Sequence, residues 1–308
     1  MEYTVAPILI AIFIIMSIAT DTFLTASNLA NMIRVASIIG IMACGMTFLM
    51  IYTGVDLSVG MSMSLVGLLG VTLEPLYGVG VALMAGLITG IVIGIVTGSV
   101  LSFIKGGVGE TFIITLGMKG VLFGIGQLYG KGYEIRASGN EVYQFIGKGA
   151  IGGIPFPIII FAAVAVLSHF LLNYTGFGRK VFIIGGNKTA AHCAGIPTEI
   201  YRVLVFAIVG LTSAIAGLVL SSRISVGSAR IGDGYEFDVI AAVVIGGTSL
   251  WGGEGSILKT VLGVLLLSMI TNSLNLLGVP SQFQYIAKGI VILVAVGFDL
   301  MKKAKEGK

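Results

Sequence analysis

Charged side chains make up only 10% of this 308-residue chain, where a soluble globular domain carries roughly 25%. That shortage excludes a water-solvated fold. There are two cysteines, Cys44 in an apolar run and Cys193 in a basic one; their separation argues against a disulfide, and neither has metal-binding company. The two histidines, His169 and His192, also lack a neighbouring Asp, Glu or Cys at catalytic or ligand spacing. No phosphate loop, no GxGxxG following a strand, no HExxH and no serine nucleophile elbow occurs. The chain is therefore expected to hydrolyse no ATP itself, to hold no cofactor or metal and to be no enzyme. No Lys or Arg precedes the first apolar run, which is against a cleaved secretory signal and makes that run the first membrane helix.

What fills the chain instead is apolar sequence, 56% hydrophobic residues at a mean hydropathy of +1.06. The long runs do not alternate with polar residues as an outer-membrane barrel requires. The fold class is thus all-α, a polytopic transmembrane helical bundle, and residues 1–308 form a single membrane domain. Runs of roughly 20 residues fall near 5–24, 32–53, 60–76, 79–104, 111–129, 155–173, 203–222, 236–250, 259–277 and 284–301, about ten spans. The basic tail Met301–Lys308 belongs on the cytoplasmic side. Ten spans then put the N-terminus, Lys105, Lys259 and the polar stretch after the sixth span there too. The loop Gly130–Gly153, Arg34, Arg223 and Arg230 fall outside, so the charge bias is not clean. The net charge of +4 reflects this clustering and not affinity for nucleic acid.

The 46 glycines suit helices that pack through small residues, since lipid supplies no hydrophobic force between helices. Gly86, Gly90, Gly94 and Gly98 form three overlapping GxxxG steps, read as packing within one subunit. A weak internal repeat at an offset of 193 matches Gly54, Leu57, Gly60 and Gly70 with Gly247, Leu250, Gly253 and Gly263. Both copies fall where a span is interrupted, at TGVDLSVG (53–60) and GGTSLWGGEGS (246–256). Paired glycine-broken helices in corresponding halves are a pointer to a transport site. Gly54, Asp56, Ser58, Gly60, Gly246, Gly247, Thr248 and Ser249 are therefore the candidate translocation-path residues. Asp56 or Ser58 as the cap of the next helix, or Asp56 as a ligand, both stay open, as do a polar path or a tight re-entrant turn for the second break. Lys119, Lys288, Asn272 and Asn275 are polar groups in or at the ends of spans; burial in the bundle and snorkelling both fit the lysines.

The basic island Thr175–Arg202 carries Arg179, Lys180, Lys188 and Arg202 against one acid, Glu199. Asn187, then KTAAHCA, then Gly195 and Pro197, is the order of an N-cap, a short helix, a C′ glycine and a stop. A helix over Lys188–Ala194 is too short to stand alone in water, so it docks on the protein or on a partner.

Five blocks, MTFLMIYTGVDLSVG, TLGMKGVLFG, GFGRKVFIIGGNKTAAHCAGIP, FDVIAAVVIGGTSLWGGEGSILKTVLG and NSLNLLG, resemble the permease subunits of ribose-type ABC sugar importers, in order from about residue 28 to about residue 300. The resemblance implies a bacterial inner-membrane permease for a monosaccharide. It implies a second permease copy or paralogue, a cytoplasmic ATPase subunit with two nucleotide-binding halves that binds the ATP, and an extracytoplasmic solute-binding protein. It makes the loop 175–202 the coupling loop, with Asn187, Lys188, Ala190, Ala191, Ala194, Gly195 and Ile196 meeting the ATPase and Lys188 and Arg202 as orienting charges. Thr53–Gly54–Val55, Trp251 and Glu254 depart from the usual pattern near the presumed path, which leaves the solute open. A permease of the same architecture for branched-chain amino acids or nucleosides, and a self-sufficient ion-coupled transporter using Asp56, are the competing readings.

Overall fold

The computed structural model describes residues 5–280 and, beyond them, residues 282–284, 286, 289, 290, 293 and 297. Most of the expected span at 284–301, together with Lys288 and the tail Met301–Lys308, lies outside the described residues. The chain is helical almost throughout. In order it forms α1 (Val5–Ala19), α2 (Ala26–Tyr52), α3 (Val59–Tyr77), α4 (Val79–Phe103) and α5 (Val108–Tyr129). A connection follows with β1 (Ile135–Arg136), α6 (Glu141–Lys148), β2 (Ala150–Ile151) and β3 (Ile154–Pro155). The second half holds α7 (Phe156–Tyr174), α8 (Gly176–Gly186), α9 (Lys188–Cys193), α10 (Thr198–Ile224), β4 (Val226–Gly227), α11 (Tyr235–Ile245) and α12 (Ile257–Leu276).

Among the described residues seven helices are long and apolar enough to cross a membrane: α2, α3, α4, α5, α7, α10 and α12. Two expected spans come out shorter. The run at 5–24 yields a helix of 15 residues, and the run at 236–250 yields one of 11 residues, about 16 Å at 1.5 Å per residue. The second is cut short because apolar sequence continues past the point where Gly247, at φ 83°, turns the backbone into a conformation that a helix does not contain.

α2 is the centre of the bundle: every residue from Ala36 to Tyr52 is buried. A helix apolar all round is stable only when surrounded, and α7, α10, α11 and α12 surround it. The most extensive helix contact among the described residues is α4 against α10, made by the GxxxG face. A Cβ at Gly90 would collide with the Gly210 carbonyl oxygen, one at Gly94 with the Phe206 carbonyl oxygen, and one at Gly98 would stand 2.8 Å from the Val203 Cα. The glycine stripe thus packs inside the chain, as its spacing suggests.

The connection from 130 to 155 is built and not slack. β1 pairs antiparallel with β4, and α6 starts at Asn140, whose side chain accepts from the amides of Val142 and Tyr143. Tyr143 is fully buried, with its hydroxyl 2.7 Å from Ser221 Oγ on α10.

The α4–α10 contact makes a direct prediction. Gly94→Leu is expected to lower stability by about 3 kcal/mol, the upper part of the range for overpacking, because the obstacle is backbone. Gly80→Leu, at an open position with nothing within 4 Å, is expected to stay within about 0.5 kcal/mol. Thermal unfolding of the detergent-solubilised proteins checks both.

Candidate functional site

The basic island contains more helix than its sequence suggests. α8 is capped by Thr175, whose hydroxyl accepts from the Gly178 amide at 3.3 Å. Asn187 ends α8 and caps α9: its Oδ1 accepts from the Ala190 amide at 2.9 Å. α9 runs over Lys188–Cys193 and closes through Ala194 and Gly195, the latter at φ 77°. Ala190, Ala194 and Gly195 are exposed, as are His192 and Cys193, while Ile196 is half-buried. Ala191 is different. It is 0% exposed and packs into the chain's own body, so it fastens α9 and offers nothing to a partner.

The orienting role expected of Arg202 is also corrected. Arg202 is 4% exposed and donates to the Leu101 carbonyl in the last turn of α4 and, at 2.8 Å, to the Gly106 carbonyl beyond it. A cation on the final carbonyls of a helix satisfies groups that have no intrahelical partner. Its guanidinium also pairs with Glu199 at 3.3 Å and lies over the Tyr52 ring, and the Tyr52 hydroxyl donates to the Thr198 carbonyl. Lys188 reaches the same Glu199 at 2.8 Å. The segment is therefore moored by buried polar contacts, with a small-residue surface left outward.

The two glycine breaks meet near the end of α2. In the first, Asp56 Oδ1 accepts from the Ser58 amide at 2.7 Å and the Ser58 hydroxyl at 2.6 Å, an Asx turn leading into α3, whose N-cap Ser58 makes no side-chain capping bond. In the second, the Gly253 amide donates to the Ile51 carbonyl at 2.8 Å, and the Ser249 amide to the Glu254 carbonyl at 3.1 Å. A Cβ at Gly185 of α8 would collide with the Ile51 carbonyl oxygen, and one at Gly252 with the Thr53 side chain. Gly246 packs on Lys259 and Thr260 of α12. Thr248 is buried with no partner for its hydroxyl among the described residues, and Ser249 is buried beside it. The matched glycines of the repeat do different jobs: Gly263 lies against Ala242 of α11, whereas Gly70 faces Tyr143 and Leu218.

Gly60 leads to the feature that sequence reasoning did not assemble. A Cβ there would collide with the Gly232 carbonyl oxygen and stand 2.6 Å from Glu236 Oε2. Glu236 is fully buried and ion-paired with Lys119, which also pairs with Asp233 at 3.0 Å. Lys119 stands eleven residues into the 22-residue α5, about 16 Å from its start and so near mid-depth. Of the two readings of Lys119, interior pairing is the one observed. Asp233, at 65% side-chain exposure, faces outward at that same depth, where a charged group turns to a bundle interior or a water-filled cavity and not to lipid. The signal that would have found this centre is DGYEFD at 233–238, three acids packed against a span. Of the other polar positions, Asn272 exchanges hydrogen bonds with Asn28, and Asn275 accepts from Gln284.

Among the described residues, seven helices long and apolar enough to span, a charge centre at mid-depth and a moored polar helix make up a multi-pass membrane protein. The chain belongs to the family described as the permease component of branched-chain amino acid transport systems, which matches residues 28–296; it is a transport component and not an enzyme. It is 41% identical over 302 residues to the ribose import permease protein RbsC of Bacillus subtilis, covering 96% of this chain and 92% of that protein. The ribose import permease protein RbsC of Escherichia coli K12 is 38% identical over 96% of this chain and 92% of its own length. The xylose transport system permease protein XylH of Haemophilus influenzae is 35% identical over 96% of both chains. No solved structure matches the chain.

The charge centre yields a stability prediction. Lys119→Met leaves Glu236 buried without its cation and is expected to cost about 3 kcal/mol, the lower end for a broken buried pair because Lys119 keeps some solvent. Adding Glu236→Gln is expected to restore most of that loss, measured as the thermal midpoint of the purified protein. Equal stability of wild type and Lys119→Met would refute the pairing.

Proposed function

We propose that this chain is the transmembrane permease subunit of an ATP-driven importer for a monosaccharide such as ribose or a similar sugar. The observation that carries this reading is the near full-length identity to ribose and xylose permeases. In this reading the chain pairs with a second copy or a paralogue. A cytoplasmic ATPase subunit with two nucleotide-binding halves binds the ATP, and an extracytoplasmic binding protein delivers the sugar. The chain crosses the bacterial inner membrane about ten times, with both termini in the cytoplasm.

Asn187–Ile196 is then the coupling helix. Its outward residues Ala190, Ala194 and Gly195 present a smooth surface for a groove, Lys188 adds charge at one end, and Ala191 with Ile196 holds the segment to the bundle. The solute path runs along the face that carries Lys119 and Asp233, between this chain and the second permease. Gly60 borders it through Glu236; Gly54, Asp56 and Ser58 set the entry of α3; Gly246, Gly247, Thr248 and Ser249 form the joint between α11 and α12. ATP-driven closure of the ATPase and docking of the loaded binding protein favour different packings of the bundle, which is all that alternating access requires.

The test reconstitutes the chain with its ATPase and binding protein in proteoliposomes. Sugar uptake should require ATP and all subunits; uptake by this chain alone down an ion gradient would overturn the reading. Ala194→Arg changes an exposed side chain and should leave the fold intact while reducing coupled uptake by about tenfold or more, within the 5–150-fold span of typical coupling energies. Normal uptake by Ala194→Arg at wild-type membrane levels would remove α9 from the coupling role.

A further inference from the structure

We propose that a cavity of about 470 Å³ between α2, α11 and α12 is a transient binding subsite for the transported solute, which is a small, uncharged polyhydroxylated molecule. This rests on the importer reading above and adds to it a place and a chemistry.

The cavity is lined by Tyr235, Phe237 and Asp238 of α11, Ser268 and Thr271 of α12, and by Asp233 just before α11. Its size falls within the roughly 300–1,000 Å³ of small-molecule sites. Ser268 stands eleven residues into α12, about 16 Å along it, the same depth that Lys119 has along α5. The site is therefore at the middle of the bundle, where transporters hold their substrates.

Ser268 is the observation that points to a ligand. It is 4% exposed, and its hydroxyl has no hydrogen-bond partner among the described residues. Ser37, Thr47, Thr89 and Thr97 avoid that state by donating to the carbonyl four residues back, whereas the buried hydroxyls of Ser62, Ser213 and Ser273 share it with Ser268 but do not line the cavity. Ser268 lines it. Leaving a buried hydroxyl unpaired is costly, so such a group persists where something else pairs with it for part of the time.

The wall defines the occupant. The Ser268 and Thr271 hydroxyls can both give and accept hydrogen bonds and the Asp238 carboxylate can accept them from vicinal hydroxyls, while the Tyr235 and Phe237 rings offer flat apolar surface to the C–H face of a sugar. Among the described residues, three carboxyl groups, Asp233, Glu236 and Asp238, stand in or beside the cavity with the ammonium of Lys119. The acid among these groups favours a neutral occupant over an anionic one such as a phosphorylated sugar.

The experiment uses the complete importer in proteoliposomes with radiolabelled ribose and xylose. Ser268→Ala is expected to slow uptake roughly fivefold, the value of one ordinary hydrogen bond, and to change the ratio of the two sugars. Ser268→Phe, which fills the cavity, should abolish uptake while the loaded binding protein still stimulates ATP hydrolysis. In a Cys193→Ser background, Ser268→Cys should react with a water-soluble thiol reagent, and ribose supplied with its binding protein should slow that reaction. Wild-type uptake and sugar ratio in both Ser268→Ala and Ser268→Phe, or labelling of Ser268→Cys that ribose leaves unchanged, overturns the subsite alone. Failure of the wild-type complex to import either sugar overturns the importer reading and the subsite with it.

Discussion

The Ile51 carbonyl, one residue from the end of the most buried helix, is the point on which this architecture turns. It accepts a hydrogen bond from the Gly253 amide at 2.8 Å, and Gly185 of α8 approaches it so closely that no Cβ fits. Carbonyls at the end of a helix have no partner within it, and in an apolar surround each needs one from elsewhere. Here the need is met by the loop that joins α11 to α12, with α8 sealing the contact from the side. One backbone acceptor thus fixes three things together: the central helix, the hairpin of the second half, and the segment that leads into α9. Glycine is required at these positions by approach distance, and any side chain at Gly185 would separate the three.

The second constraint is electrostatic and sits half a membrane away. A lysine and three carboxyl groups at mid-depth are affordable only when paired or wetted. Lys119 with Glu236 and Asp233 satisfies the first condition in part, and the exposure of Asp233 calls for the second. This explains why the chain from β4 to α11 departs from helix. Residues 226–234 run down along α3, with Gly227 against Leu68 and Gly232 against Gly60, and deliver the acids to the level of Lys119. A continuous helix from α10 would have carried them past it. Irregular backbone at membrane depth is tolerated where it is buried in protein or lines a cavity, and Gly232 has one such buried partner, the Ser64 hydroxyl at 2.8 Å.

What was legible in the sequence was local chemistry. Asn187 and Gly195 announce α9 because a cap and a C′ glycine act within a few residues of themselves, and the glycine stripe on α4 declares a close helix contact through its own period. The rest depends on partners distant in sequence. Arg202 looks like a solvated flank because nothing nearby reveals that its acceptors are carbonyls about one hundred residues earlier. Lys119 and Glu236 lie 117 residues apart, so each alone reads as an isolated polar position. α8 was hidden because Arg179 and Lys180 interrupt its apolar pattern, and α6 because its short length and the glycines in and around it, Gly139, Gly147 and Gly149, look like loop. α11 was over-extended for the opposite reason: hydropathy continues where backbone geometry stops.

The two constraints are joined by α11. Its C-terminal end enters the loop held by Ile51 and α8, and its N-terminal turn carries the acids and the rings that wall the cavity. At only 11 residues it is a short rigid strut between the junction and the charge centre. A displacement of α9 in the proposed coupling is passed to α8, whose Gly185 leaves no slack against Ile51, and through the same contact to Gly253 and the foot of α11. Close-packed backbone does not absorb such a shift by deforming; the strut must tilt or the junction must part. Tilting moves Asp238 and Tyr235 against Ser268 on α12, which changes the cavity without requiring any helix to slide its full length. In the proposed coupling, the short helix is thus the element through which a small motion at one face of the membrane would reach a site at its centre.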